Sequence, residues 1–319
     1  MNKFEFEKHK VLCLGVFNGF DRLIKYSNIY TYPYIYRGLH GWDRYIKKLN
    51  EHGVGNCHME RWYGDWTKHI KDVDTVMLSD GIRGRDIISY IHERNPFARI
   101  IIYYLNSIFG HGRNEPSKYK DLPCELVTFD QKNANDYNIK FKPYYYPYME
   151  DRIHTEESNY NYTQDIFFIG GDKGRLKKLL YWKKIFEYQG LKCKFLILKT
   201  KHKFYFCNKG QLIDKAVPYD KIIEEIRHSR AILDFTQPHQ HGLTYRPMEA
   251  MCFQKKLITN FEEITDYNFY NPHNIFRLEH DNINDLRRFL EYPYETIDDL
   301  VREEYVVTNW LDGFFVNEN

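Results

Sequence analysis

The stretch Asp165–Tyr188, which reads DIFFIGGDKGRLKKLLYWKKIFEY, decides the fold. It begins with a short apolar run typical of a buried strand, and the run is followed at once by a glycine-containing turn. A helix is predicted after the turn, because apolar residues recur there every three or four positions, at 176, 179, 180, 182 and 186. A strand that leads directly into a helix is the repeating unit of a parallel sheet with crossover helices.

The same unit recurs along the chain on both sides of a break. Before the break, strands are predicted at Lys10–Val16, Val73–Leu78, Arg99–Leu105 and Leu126–Phe129, and helices at Gly41–His52 and Asp86–Glu93. After it, strands are predicted at Cys193–Leu198, Ala231–Phe235 and Lys256–Thr259, and helices at Tyr219–Ser229 and from Pro247. The break is the run Pro143–Pro147 with the polar stretch Glu150–Thr163, which indicates a linker.

We therefore expect an α/β fold with two Rossmann-like, doubly wound domains that face a cleft. The first domain is expected at residues 1–149 and the second at 163–300. Residues 301–319 end in Trp310, Phe314 and Phe315, and this aromatic tail is expected to be helical and to return to the first domain.

Composition and charge exclude several classes of protein. The 319 residues carry 46 basic and 44 acidic side chains, which argues against a dedicated nucleic-acid-binding protein. The six cysteines form no Cys-x-x-Cys pair and no zinc-site spacing, so reduced thiols and a cytoplasmic protein are expected. The N-terminus is polar and the longest apolar run, Ile100–Leu105, is too short for a membrane span. Any contact with a membrane would therefore be peripheral, at its inner face.

Gly170-Gly171-Asp172-Lys173-Gly174-Arg175 follows the predicted strand and opens the predicted helix. Glycines allow close approach of the backbone, and the N–H groups at a helix N-terminus attract anions. Lys173 and Arg175 add cationic donors suited to a diphosphate. The spacing matches neither a P-loop nor a dinucleotide fingerprint, and an ordinary strand–turn–helix connection is the alternative.

Gln237–Met251, QPHQHGLTYRPMEAM, follows a second predicted strand. Backbone N–H groups of Gly242-Leu243-Thr244 and the threonine hydroxyl can bind phosphate, and Arg246 can pair with it bidentately. Pro247 fits the first position of a helix. Glu249 can bind both hydroxyls of a ribose, or it can simply compensate the helix dipole.

The segment from Tyr219 to Asn274 resembles the donor-binding half of bacterial glycosyltransferases of lipopolysaccharide and capsule biosynthesis. Most of the likeness lies in Gln240–Arg246, Glu249-Ala250 and Lys255–Asn260. Thr128-Phe129-Asp130, Asp136-Tyr137 and Phe141-Lys142-Pro143 add to it, so that the likeness covers roughly residues 125 to 280.

The resemblance implies the GT-B fold, an acceptor-binding first domain and a second domain that binds a nucleotide-sugar donor. It implies a hexosyl- or deoxyhexosyl-type transferase that needs no metal or other cofactor and uses a glycan or lipid-linked acceptor. The predicted donor-binding residues are Gly170, Gly171, Lys173, Arg175, Gln240, His241, Gly242, Leu243, Thr244, Arg246 and Glu249. Many retaining members carry Glu eight positions before the ribose-binding Glu, where this chain has His241, which leaves room for an inverting mechanism.

An inverting transferase needs a general base near the acceptor hydroxyl. Asp21, Asp43 and Asp80 are the candidates, and Asp80 comes directly after a predicted strand. The alternative for Asp80 is a structural role in a turn, because Asp-Gly is a common turn pair.

Two other functions fit the same fold. A nucleotide-sugar epimerase or hydrolase would turn over without any acceptor, and a non-catalytic partner subunit would bind the nucleotide-sugar without turnover. A redox Rossmann enzyme is disfavoured, because no Gly-x-Gly-x-x-Gly follows the first strand of either half.

Overall fold

The structure is a computed structural model. It describes residues 3–51, 59–80, 85–108, 115–150, 161–201, 203–205, 209–237 and 240–316. The chain divides into two compact units, one made of the residues up to Pro147 together with those from Val307 on, and the other of Tyr148–Val306. Gly81 and most of the predicted linker, residues 151–160, lie outside the described residues.

The first unit is built on a six-stranded sheet in which every pairing is parallel. Its strands are β1 (Val11–Leu14), β2 (Ile29–Tyr32), β3 (Thr75–Ser79), β4 (Arg99–Tyr104), β5 (Glu125–Thr128) and β6 (Lys140–Phe141). Its first helices are α1 (Trp42–Glu51), α2 (Arg85–Arg94) and α3 (Gln131–Tyr137).

Both faces of this sheet are covered, which explains the continuous apolar runs in its sequence. Alternate residues of a strand point to opposite faces. Leu12, Val76 and Ile100 accordingly enter one core, whereas Cys13, Met77 and Ile101 enter the core on the other side.

The second unit repeats this architecture with a second six-stranded parallel sheet. Its strands are β7 (Gln164–Gly171), β8 (Cys193–Leu198), β9 (Leu212–Ile213), β10 (Ser229–Asp234), β11 (Lys256–Thr259) and β12 (Ile275–Arg277). Its helices are α4 (Leu176–Tyr188), α5 (Tyr219–Arg227), α6 (Tyr245–Cys252), α7 (Leu286–Glu291) and α8 (Asp299–Glu303). The predicted α/β class with two Rossmann-like, doubly wound units is confirmed.

Strand order locates one switch point in each sheet. In the order β2-β1-β3-β4-β5-β6, the chain places β2 on one side of β1 and every later strand on the other side, so the switch point lies between β1 and β3. In the order β12-β11-β10-β7-β8-β9, β8 and β9 lie on one side of β7 and the later strands on the other, so the switch point lies between β7 and β10. In open parallel sheets the crossover connections diverge at such a point and leave a crevice outside the carboxyl ends of the strands, where ligands bind. A functional site is therefore expected at each of these two switch points.

The C-terminal segment crosses from the second unit to the first at Val307, rather than at residue 301. Tyr305 still packs against Phe269 of the second unit, with ring centroids 5.6 Å apart. Helix α9 (Val307–Asp312) then places Trp310 in the core of the first unit, where its indole N–H donates to the Pro143 carbonyl oxygen at 2.8 Å.

Within the described residues, no helix combines the length and the apolar character needed to cross a bilayer. Four of the six cysteines are described, and all four are free thiols. Cys57 and Cys207 lie outside the described residues.

Candidate functional site

The switch point of the second sheet gathers residues from two loops that are about 65 positions apart in the sequence. Strand β7 ends at Gly171 and leads through a tight turn into α4, while β10 ends at Asp234 and leads through the Gln240–Thr244 loop into α6. The two loops that the sequence predicts to bind the donor therefore follow two adjacent strands, and both lie at the carboxyl ends of the strands.

Gly170, next to the last residue of β7, makes room for a guanidinium group. Nε of Arg175 donates to the carbonyl oxygen of Gly171 at 3.1 Å. A Cβ atom added to Gly170 would lie only 2.7 Å from Nη2 of Arg175 and 3.1 Å from the ring of Phe168. Any larger residue at position 170 would therefore displace the arginine or the ring, so this glycine of β7 is needed for the placement of the Arg175 side chain.

Three cations converge at this edge. Burial, followed by the charge of Arg175, lowers the pKa of Lys173. Burial also lowers the pKa of Arg175, and the charge of Arg246 lowers it further, against an opposing effect of Asp234. Cations held within range of one another repel, so an anion placed among them would relieve that repulsion.

Asp234, at the end of β10, holds the second loop in place. Its carboxylate is buried and accepts hydrogen bonds from Thr244 (Oγ1 to Oδ1, 2.9 Å) and Thr259 (Oγ1 to Oδ2, 3.0 Å). Burial raises its pKa, an effect that the two hydroxyl donors and the nearby guanidinium groups oppose. Our sequence reasoning missed Asp234, although a charged residue closing the apolar run Ala231–Phe235 was a usable signal.

The second loop is arranged differently from the prediction. The Thr244 hydroxyl was expected to face phosphate, but it donates to Asp234 and accepts from the backbone N–H of Arg246 at 3.0 Å, which caps α6. The helix consequently begins at Tyr245, two residues before Pro247. Gly242 and Leu243, two residues of this loop, are buried.

Glu249 is completely buried, and both of its carboxylate oxygens are engaged by protein groups. Oε1 accepts from the Tyr219 hydroxyl at 2.6 Å, and Oε2 lies 2.5 Å from Nη1 of Arg246. Burial raises the pKa of Glu249, and the charge of Arg246 opposes that rise. The sequence predicts that Glu249 contacts a ribose. In the structure its carboxylate contacts Tyr219 and Arg246, and the ribose contact stays a prediction. Tyr219 was not among the predicted site residues.

The beginning of the second loop is held by side-chain contacts. The side-chain amide of Gln240 donates to the carbonyl oxygen of Gly242 at 3.2 Å. Nδ1 of His241 lies 2.6 Å from Oε1 of Glu263, and about a third of the imidazole is exposed. His241 therefore stands at the rim of the site with a carboxylate partner that the sequence did not suggest.

The switch point of the first sheet opens into a cavity of about 1020 Å³. Residues that follow β1, β2, β3 and β4 line it, among them Gly15, Tyr34, Asp80 and Asn106. Asp80 is 6% exposed, and Nδ2 of Asn106 donates to its Oδ2 at 3.3 Å. Burial raises the pKa of Asp80, and the hydrogen bond from Asn106 opposes that rise. A carboxylate with a raised pKa is better matched to proton abstraction near neutral pH than an ordinary aspartate.

The other two candidate bases lie elsewhere in the first unit. Asp21 is exposed in a 3-10 turn, Phe20–Lys25, and Asp43 lies at the start of α1, where its Oδ1 is 3.6 Å from Nη2 of Arg61. Among the described residues that line the cavity, Asp80 is the one acidic side chain.

The described part of the chain contains no preformed cluster of metal ligands. No group of three or more His, Cys, Asp or Glu side chains is placed there to hold a metal ion. The metal independence predicted from the sequence stays a prediction.

No protein-family model matches the chain, and no curated protein matches it either. Solved structures do resemble it. A glycosyltransferase from Rickettsia africae is 13% identical with a TM-score of 0.46, over 97% of this chain and 85% of that one. A sucrose-phosphate synthase from Thermosynechococcus elongatus is 8% identical with a TM-score of 0.44, over 95% and 94%. An α1,3-fucosyltransferase solved with GDP is 8% identical with a TM-score of 0.43, over 97% and 91%. At these identities, what this chain binds must be inferred from its own residues.

Proposed function

We propose that this protein is a glycosyltransferase of the GT-B type that binds a nucleotide-diphosphate sugar at the switch point of its second sheet. The observation that carries the proposal is that Lys173 and Arg175 follow β7 and Arg246 follows β10, two adjacent parallel strands, so that all three cations lie at the same carboxyl end of the sheet. Each cation comes from the turn or helix start that follows a strand, which is where ligands bind in open parallel sheets. A diphosphate has the charge and the oxygen geometry that two guanidinium groups bind best.

The buried carboxylates support this assignment. Asp234 and Glu249 are 1% and 0% exposed, so their negative charges are inaccessible to a ligand. The ligand would therefore contact the guanidinium groups rather than the carboxylates. They fix the loop and the Arg246 side chain before the ligand arrives, which lowers the entropic cost of binding. As the sugar is transferred, the same cations would stabilise the negative charge that develops on the departing diphosphate. This is the basis for proposing a reaction without a required metal.

The acceptor is proposed to bind in the cavity of the first unit, with Asp80 as the general base of an inverting reaction. A base must lie where the acceptor hydroxyl can reach it, and Asp80 is the acidic residue of that cavity. The proposal that the product is a lipopolysaccharide or capsular glycan depends on the resemblance over residues 125 to 280. Cytoplasmic location and peripheral contact with the membrane's inner face belong to the same proposal.

The donor site is tested by calorimetric titration with UDP, GDP, CMP and dTDP, with NAD⁺ as the comparison. We expect one nucleoside diphosphate to bind and Arg246→Ala and Arg175→Ala each to weaken it about tenfold or more, because each removes a charge-assisted hydrogen bond. Lys178→Ala, an exposed cation on α4 away from the turn, is the matched control and should bind normally. Unchanged affinity in both arginine variants, or binding of NAD⁺ alone, would refute the assignment.

A further inference from the structure

The cavity of the first unit carries a charge that the proposed function does not require. Among its described lining residues, four are basic, Arg37, Arg44, Lys47 and Lys48, and one is acidic, Asp80. The chain as a whole is nearly balanced, with 46 basic and 44 acidic residues. The excess in the cavity is therefore local and does not reflect a basic protein.

Three of these cations occupy one face of a helix. Arg44, Lys47 and Lys48 stand at positions i, i+3 and i+4 of α1, which places their side chains side by side. Like charges at these spacings repel one another, so the arrangement concentrates positive charge on this face of α1. The acidic residue of the same turn, Asp43, faces Arg61 and not the cavity cations.

Arg37 comes from a different element, the segment that follows β2. Its backbone N–H is held by the carbonyl oxygen of Trp62 at 2.8 Å, so its position is fixed even though its side chain is exposed. Among the described residues of this unit, neither Arg37 nor Arg44 has a carboxylate within ion-pair distance. Lys47, by contrast, lies over the ring of Tyr36 at 4.3 Å and is half-buried.

We propose that the acceptor carries a phosphate group, which binds the four cations while an acceptor hydroxyl faces Asp80. This inference rests on the proposed function, because it names the chemical class of that function's acceptor. Several cations around one concave site raise the local concentration of multiply charged anions, and a phosphate ester exploits this better than a singly charged carboxylate. Tyr34, which is 77% exposed, offers a ring face to the uncharged part of the acceptor.

The phosphate could belong to a soluble sugar phosphate or to a lipid headgroup, and both present the same chemistry to the cavity. The test uses glucose 1-phosphate and glucose as soluble probes, and vesicles of phosphatidic acid or of phosphatidylcholine as lipid probes. Binding is measured in the full chain carrying Arg175→Ala and Arg246→Ala, so that the cations of the second unit contribute little.

We expect glucose 1-phosphate or phosphatidic acid vesicles to bind, and glucose and phosphatidylcholine not to. Adding Arg37→Ala and Arg44→Ala should weaken that binding about tenfold or more and reduce its dependence on salt. Adding Lys71→Ala and Lys120→Ala, two exposed lysines outside the cavity lining, removes the same charge and should leave binding unchanged. Thermal unfolding of each variant checks that the first unit remains folded.

Binding of glucose 1-phosphate would identify a soluble sugar phosphate as the source of the phosphate, and binding of phosphatidic acid vesicles would identify a lipid headgroup. Either result supports the proposal. Equal binding of glucose and glucose 1-phosphate, or the same loss in both pairs of variants, would overturn it. Failure of the wild-type chain to bind any nucleotide would count against the donor site alone, so the two proposals fail separately.

Discussion

Nη1 of Arg246 lies 2.5 Å from Oε2 of Glu249, three residues further along α6, and the glutamate is completely inaccessible to solvent. The Tyr219 hydroxyl holds the other carboxylate oxygen at 2.6 Å. These contacts fix the orientation of the Arg246 guanidinium group through two side chains in the protein interior. In the proposed donor site, Glu249 would therefore be a positioning residue that acts on the nucleotide through Arg246.

Glu249→Ala is expected to lower the free energy of unfolding by about 3 kcal/mol, because it leaves Arg246 without its buried partner. Glu249→Gln keeps an oxygen for the Tyr219 hydroxyl and should cost less, about 1 to 2 kcal/mol. Urea unfolding followed by circular dichroism measures both. Nucleotide affinity should fall in both variants, and an alanine variant as stable as the wild type would refute the buried pair.

Gly170→Ala is expected to weaken nucleotide binding about tenfold while the protein stays folded. The new methyl group would lie 2.7 Å from Nη2 of Arg175, so the guanidinium group must move. Crowding of the Phe168 ring should lower the free energy of unfolding by about 1 kcal/mol. Gly210→Ala is the control, because a Cβ atom there meets nothing within 4 Å. Calorimetry gives the affinities, and equal binding by both variants would contradict the proposed role of Gly170.

Asp80→Asn is expected to reduce kcat about a hundredfold or more, with little change in the KM for the donor. Burial raises the pKa of Asp80, so the acidic limb of the kcat/KM profile should lie above the ordinary aspartate range. The hydrogen bond from Asn106 lowers that pKa, and Asn106→Ala should therefore move the limb to still higher pH. Asp43→Asn serves as the control. A profile that does not move in Asn106→Ala would argue against Asp80 as the base.

Glu125 should make the first unit sensitive to acid. Hydrogen bonds from Arg99 and Lys140, to carboxylate oxygens 2.6 and 2.8 Å away, lower its pKa from 4.5 to about 2. For a carboxylate with a lowered pKa, the stabilisation is present above the unfolded value and is lost as pH falls through the folded value.

The corresponding test is the variant Glu125→Gln. Because the side chain is 31% exposed, its loss should cost about 1 to 2 kcal/mol at pH 7 after allowance for solvent screening. The difference from the wild type should shrink as the pH falls from about 4.5 toward 2. Urea unfolding at several pH values measures it, and a difference that stays constant with pH would rule out this ion pair as its source.

Internal strands were predictable where apolar residues predominate in a short run. β8 and β11 run over the residues predicted for them, Cys193–Leu198 and Lys256–Thr259, because a strand with neighbours on both sides and helices on its faces is rich in apolar side chains. The edge strands β2, β6, β9 and β12 were missed. β6 and β9 have two residues each, too few to show any periodicity. Their extended form depends on pairing with a neighbour.

α3 was missed for another reason. Its sequence QKNANDY has no apolar stripe, so its pattern indicated a polar connection. The helix begins where the carboxylate of Asp130 accepts from the backbone N–H of Asn133 at 3.0 Å. Asp130 is itself completely buried, and burial of the cap depends on the fold around it.

The sequence by itself determined the α/β class, the two repeated halves and the positions of the cations in the two loops, because apolar periodicity and glycine turns are local properties of the chain. Only the tertiary structure decided which partners those cations have. Tyr219 and Glu249 are 30 residues apart, and Thr259 and Asp234 are 25 apart. A buried carboxylate takes its hydrogen bonds and ion pairs from neighbouring protein groups. Its burial depends on residues that only the folded chain brings together.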